Sequence, residues 1–109
     1  MESIQPEVLR SAIKEVWIRA LTEVQPDVLN ALVKARAEET NPRGQQYLDI
    51  LIENAKKAKE NRIVICQDTG VPTFFVKTSL SFPFTGDIRA EFDGALRDLT
   101  KKEFPMRPM

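Results

Sequence analysis

The sequence predicts an α+β fold: three N-terminal helices, a short β-hairpin, then a fourth helix. Two observations carry that prediction. Through about the first sixty positions, apolar residues recur at steps of three and four, the period of a helix with one buried face. After Asn61 the period changes to a continuous β-branched run and then to alternation, the pattern of strands.

The first helix is expected over about 7–24, where Leu9, Ile13, Val16, Trp17, Ala20, Leu21 and Val24 form one stripe behind Pro6, which suits a first turn. Gln25-Pro26-Asp27 interrupts it, and Val28, Leu29, Leu32, Val33 and Ala35 begin a second helix over about 26–39. Asn41-Pro42 is an N-cap followed by a first-turn proline. It opens a third helix over about 42–60 with Tyr47, Leu48, Leu51, Ile52, Ala55 and Ala58 on one face. Lys56, Lys57, Lys59 and Arg62 gather at its end, where cations offset the helix dipole.

Ile63-Val64-Ile65-Cys66 reads as a buried strand (63–66) and Gln67-Asp68-Thr69-Gly70 as a turn, with Asp able to bond the backbone two residues on and Gly able to take positive φ. The second strand is expected over 73–82, with Phe74, Val76, Leu80 and Phe82 alternating with Phe75, Lys77, Ser79 and Ser81. Pro83 and Gly86 end it. Asp87 then caps a fourth helix over about 88–103, with Phe92, Ala95, Leu96 and Leu99 on its buried face. An isolated hairpin is marginal in water, so the sequence predicts that 1–109 is an incomplete piece of a larger domain.

The composition narrows the function. The 109 residues carry sixteen Lys+Arg against sixteen Asp+Glu, which gives no basic surplus for nucleic acid. No apolar run approaches the roughly 20 residues of a membrane span. One cysteine excludes an internal disulfide, and MESIQPEVLR lacks the basic start and apolar run of a secretory leader, so a cytoplasmic setting is expected. With no histidine, His-dependent triads and HExxH zinc sites cannot be built from this chain.

Reactive groups concentrate in Cys66-Gln67-Asp68-Thr69-Gly70, at a strand end, where side chains are displayed from a rigid scaffold. In locally extended chain Cys66 and Asp68 point the same way. Gln67 offers a donor and an acceptor, and Thr69 a hydroxyl. The plain alternative makes Cys66 a small buried hydrophobe and leaves Asp68 and Gly70 to the turn.

Two family resemblances bear on this segment. Asp68-Thr69-Gly70 looks like the triplet of aspartic proteases, and a chain of this size resembles the type that forms its carboxylate dyad by dimerising. That family is almost entirely β, whereas three helical stripes precede the triplet here. The longer match is of Cys66-Gln67-Asp68-Thr69-Gly70 to the N-terminal signature of the class I iron–sulfur fumarate hydratase and L-tartrate dehydratase family. A given five-letter string arises by chance in fewer than ~1 in 10,000 chains of this size. Asn41-Pro42, the helix containing Leu51, Glu53-Asn54-Ala55 and Ala58, and Gly86-Asp87-Ile88 with Gly94 also resemble the family. Val64 departs from it, standing where many members have proline.

The resemblance implies the N-terminal part of an α subunit or α region, and a 4Fe–4S cluster in the complete enzyme, held by three cysteines with one iron open as a Lewis acid. Cys66 matches one ligand, Asp68 an acid–base residue at the substrate hydroxyl, and Gln67 a contact to the dicarboxylate substrate, with Thr69 and Gly70 shaping the turn. With one cysteine, the chain alone is expected to bind no stable cluster and to be inactive. Its expected partners are the remainder of the α subunit and a β subunit or domain, with neither nucleic acid nor membrane. An isolated piece should expose an apolar patch or strand edge and so tend to self-associate. A small helical protein–protein interaction module is the reading from a different class, and it requires every stripe to be satisfied internally.

Overall fold

The computed structural model describes residues 3–66 and 71–103. Its elements are α1 (Pro6–Thr22), α2 (Pro26–Glu38), α3 (Pro42–Asn61) and α4 (Ile88–Asp98), the last continuing into a π-helical turn over Leu99–Glu103. Backbone contacts divide the chain into two compact units, Ile18–Gln67 and the combination of Met1–Trp17 with Asp68–Met109.

In the unit Ile18–Gln67, α2 packs on α3. Asn41 caps α3: its side chain accepts from Arg43 N–H at 2.9 Å, satisfying one of the amides that a helix start leaves open. Glu39 Oε1 adds bonds from the N–H groups of Thr40 and Asn41, at 3.0 and 2.9 Å, so a carboxylate lies at the positive end of the α3 dipole. Gln45 closes the connection by donating Nε2 to the Glu39 carbonyl, 2.7 Å. Ala55, Ala58 and Thr22 are the buried residues among those described in this unit. An Arg36–Asp49 ion pair of 2.6 Å ties α2 to α3.

In the other unit, Ile13, Ala95 and Leu99 are buried. Trp17, Phe74 and Phe92 form an aromatic row, with centroids 5.5 Å apart for Trp17–Phe74 and 4.7 Å for Phe74–Phe92. The second pair meets edge to face, the arrangement the ring quadrupoles favour. Asp87 caps α4 by accepting from Ala90 N–H at 3.2 Å. Ile4 N–H donates to the Pro83 carbonyl at 2.7 Å.

The α+β expectation is corrected: the described residues are helical, with no strand or sheet among them. The apolar run 63–66 spends its amides on helices instead of a ladder. Ile63 N–H donates to the Ala58 carbonyl at 3.0 Å and Ile65 N–H to the Leu21 carbonyl at 2.9 Å. Residues 73–82 have no strand partner, and the two-residue face expected there is not kept. Phe74 and Phe82 are half-buried, but Val76 and Leu80 on the same parity are exposed. A sheet needs a second strand to satisfy its backbone, and alternation by itself cannot supply one.

Candidate functional site

Of the five residues that the sequence singles out, the structure describes Cys66; Gln67, Asp68, Thr69 and Gly70 lie outside the described residues. The route to Cys66 begins at the end of α3. Arg62 takes the left-handed conformation, φ 53° and ψ 48°, and its N–H bonds back to the carbonyls of Ala58 and Lys59. A left-handed residue past the last turn reverses the chain, and the Ile63 to Ala58 bond completes the closure. The returning segment then meets the end of α1, where Ile65 N–H takes up the Leu21 carbonyl, one of the last four, which have no partner inside the helix.

The final bond is to Cys66 itself. Its backbone N–H donates to Asn54 Oδ1 at 3.0 Å, across twelve residues of sequence. Cys66 is thus held by its backbone, while its thiol is free and exposed. Access is what a ligating or nucleophilic sulfur requires, and a buried structural cysteine lacks it. The reading of Cys66 as a small buried hydrophobe is corrected by that exposure.

Asn54, named above only as part of Glu53-Asn54-Ala55 and given no role there, is the residue that holds the Cys66 amide. The signal was present: an asparagine, whose side chain competes with the helical backbone, sits in mid-helix beside the apolar stripe. Such a residue is best explained by a tertiary hydrogen bond. Further along α3, Gln46, Asp49, Ile50, Glu53 and Lys56 border a shallow, open groove that also includes Asn54. Its carboxylates are engaged by cations: Asp49 by Arg36 at 2.6 Å and Glu53 by Lys57 at 3.7 Å. That face is a solvated helix surface.

The donor set can be tested against a 4Fe–4S group. Three thiolates are needed for a cubane with one open iron, and this chain has one cysteine and no histidine. Among the described residues, no three Cys, Asp, Glu or His side chains converge. The chain does not fit a whole cluster. What the chain can offer such a group is a single exposed thiol, that of Cys66.

No described helix is long and apolar enough to cross a membrane. No solved structure matches the chain. A protein of Methanocaldococcus jannaschii, provisionally named L(+)-tartrate dehydratase subunit alpha, is 30% identical over 102 residues, covering 92% of this chain and 35% of that protein. The L(+)-tartrate dehydratase subunit alpha of Escherichia coli K12 is 31% identical over 86 residues, covering 79% of this chain and 28% of its own. A protein of Geobacillus stearothermophilus, provisionally named fumarate hydratase class I, is 38% identical over 72 residues, covering 65% of this chain and 14% of its own. The chain therefore spans about a third or less of the length of these relatives, which are named as hydro-lyases. The model of the fumarate hydratase (Fumerase) family matches residues 10–109, nearly the whole chain and all of the Cys66 segment, and the chain belongs to that family.

Proposed function

We propose that this chain is the N-terminal segment of an iron–sulfur hydro-lyase that interconverts fumarate and L-malate or dehydrates L-tartrate. The observation that carries the reading is the family match over residues 10–109, which runs through Cys66-Gln67-Asp68-Thr69-Gly70. Cys66 supplies one sulfur ligand to a 4Fe–4S cluster in the complete enzyme, and the exposure of its thiol supports that role. The cluster supplies Lewis acidity toward the departing hydroxyl when it is bound.

The chain's own residues do the remainder of the local work. Asp68 moves the proton at the substrate hydroxyl, because a carboxylate donates when protonated and accepts when ionised. The Gln67 amide binds a carboxylate oxygen of the substrate without adding charge. Thr69 and Gly70 shape the turn that presents these groups. The partners are the remainder of an α polypeptide and a β subunit or domain, in the cytoplasm.

The interaction-module reading requires a self-satisfied apolar surface. Val16, Tyr47, Ile50, Phe75 and Leu80 are all exposed, which favours a segment of something larger. The protease reading needs an almost all-β chain, and the described residues are helical.

The test is anaerobic reconstitution with iron and sulfide, followed by assays with fumarate, L-malate and L-tartrate. The isolated chain should hold no stable cubane and turn over none of the three. The same chain with the remaining polypeptide of the enzyme should gain both chromophore and turnover. Clear turnover by the isolated chain refutes the proposal.

A further inference from the structure

The segment from Val71 to Leu80 is anchored at one residue and open along most of the others. Phe74 is half-buried in the aromatic row with Trp17 and Phe92, at centroid distances of 5.5 and 4.7 Å. Its neighbour Phe75 is 98% exposed, Val71 is 86% exposed and Leu80 is fully exposed. No backbone N–H from Thr73 to Leu80 donates to another described backbone carbonyl. Lys77 is the only charge in the stretch. An apolar, backbone-open segment held on a scaffold by one half-buried ring has the anatomy of an interface.

We infer that Val71–Leu80 is the surface on which the remaining polypeptide of the same hydro-lyase docks, an inference that rests on the function proposed above. The size of the relatives identifies the occupant. This chain covers 35%, 28% and 14% of three of them, so most of each lies outside the matched share and must pack against something. Equal numbers of basic and acidic residues leave the chain with no net charge for a charged partner to read. The exposed side chains are suited to apolar packing against protein. In sequence, Val71 follows Cys66 by five residues.

The experiment expresses the 109-residue chain and the remaining polypeptide of the enzyme as separate, differently tagged proteins in one cell, and scores co-purification and hydro-lyase activity. The wild-type chain should co-purify. The Phe75→Asp/Leu80→Asp double variant should co-purify roughly tenfold less or worse. Its circular dichroism should match that of the wild type, because both side chains already face solvent. Cys66→Ser should co-purify like the wild type but give no turnover. Undiminished co-purification of the double variant overturns the docking surface and leaves the hydro-lyase reading intact. Stoichiometric co-purification without turnover by the wild type overturns the hydro-lyase reading and leaves the surface. If sedimentation shows the isolated chain to dimerise, and the double substitution abolishes this while leaving co-purification unchanged, a second copy is the occupant and the inference is overturned.

Discussion

Arg10 lies directly over Gly94. A Cβ built on Gly94 would fall 2.6 Å from Arg10 Nη2 and 2.7 Å from its Cζ, well inside van der Waals contact. The guanidinium is held there by two carboxylates of α4. Its Nε bonds Glu91 Oε2 at 2.9 Å, and its Nη1 lies 3.8 Å from Asp98 Oδ2. Lys14 Nζ reaches the same Asp98 oxygen at 3.2 Å. Glu91, Gly94 and Asp98 follow one another at steps of three and four, so they share a helix face. The missing side chain lets a flat cation lie on that face.

Gly94→Ala therefore sets two effects against each other. Alanine in a helix interior is worth about 0.5–1 kcal/mol over glycine. Pushing the guanidinium away from Glu91 costs a similar amount, about 1 kcal/mol, because the Arg10 side chain is 38% exposed and the pair is partly screened. The net change in wild type should be close to zero. In an Arg10→Ala background, the same substitution should stabilise by about 0.5–1 kcal/mol. Urea unfolding of the four proteins in this cycle measures the difference, and an identical effect in both backgrounds removes the proposed coupling.

Leu99 and Thr22 are the largest fully buried side chains among the described residues, yet they should respond differently to substitution. Leu99→Ala leaves a cavity in a small core, and a loss of about 2–5 kcal/mol is expected. For a chain this small, that is a large share of total stability. Thr22 Oγ1 donates to the Ile18 carbonyl at 2.8 Å, a bond back to its own helix. Thr22→Val keeps the volume and loses only that bond, so the change should stay within about 1 kcal/mol. Thermal melts followed by circular dichroism separate the two. Equal losses would mean that the hydroxyl contributes as much as the buried apolar volume does.

Asn54→Ala should release the Cys66 amide. The lost bond is exposed, so its cost to stability is only about 0.5–1.5 kcal/mol. The sharper readout is hydrogen exchange at the Cys66 N–H, which should accelerate in Asn54→Ala and remain slow in Asn54→Asp, where an acceptor oxygen is kept. Unchanged exchange in Asn54→Ala would show that this bond does not hold the segment.

What could be read from the sequence was local. The Asn41 cap, the proline behind it and the stripe on α3 all depend on residues within a few positions of one another, and the first bond of that cap is made, Arg43 N–H to Asn41 Oδ1. The failure was equally specific. Ile63-Val64-Ile65-Cys66 has strand propensity, but propensity says nothing about which carbonyls lie within reach of its amides. Those carbonyls belong to the ends of α1 and α3. Alternation from Phe74 to Phe82 likewise described side chains and not a partner. The Arg10–Gly94 contact spans the sequence from α1 to α4, and nothing in the local pattern of either helix points to the other. At the candidate site the sequence singled out the pentapeptide, of which the structure describes Cys66, while the bond from Cys66 to Asn54 required the fold.

Cys66 and Asp68 should separate in the complete enzyme because their proposed tasks are different. Cys66→Ser replaces a soft thiolate donor by a hydroxyl that does not ionise near neutral pH, so the iron–sulfur absorbance and the turnover should fall together. Asp68→Asn keeps the size of the side chain and removes its ability to take or give a proton. The absorbance should then persist while kcat drops by roughly 10²–10⁴, the usual contribution of a positioned acid–base group. Anaerobic absorbance spectra and malate dehydration rates on the same preparations give both numbers. An Asp68→Asn enzyme that turns over at the wild-type rate would remove Asp68 from the proton transfer. A Cys66→Ser enzyme that retains both colour and rate would remove the cluster from position 66.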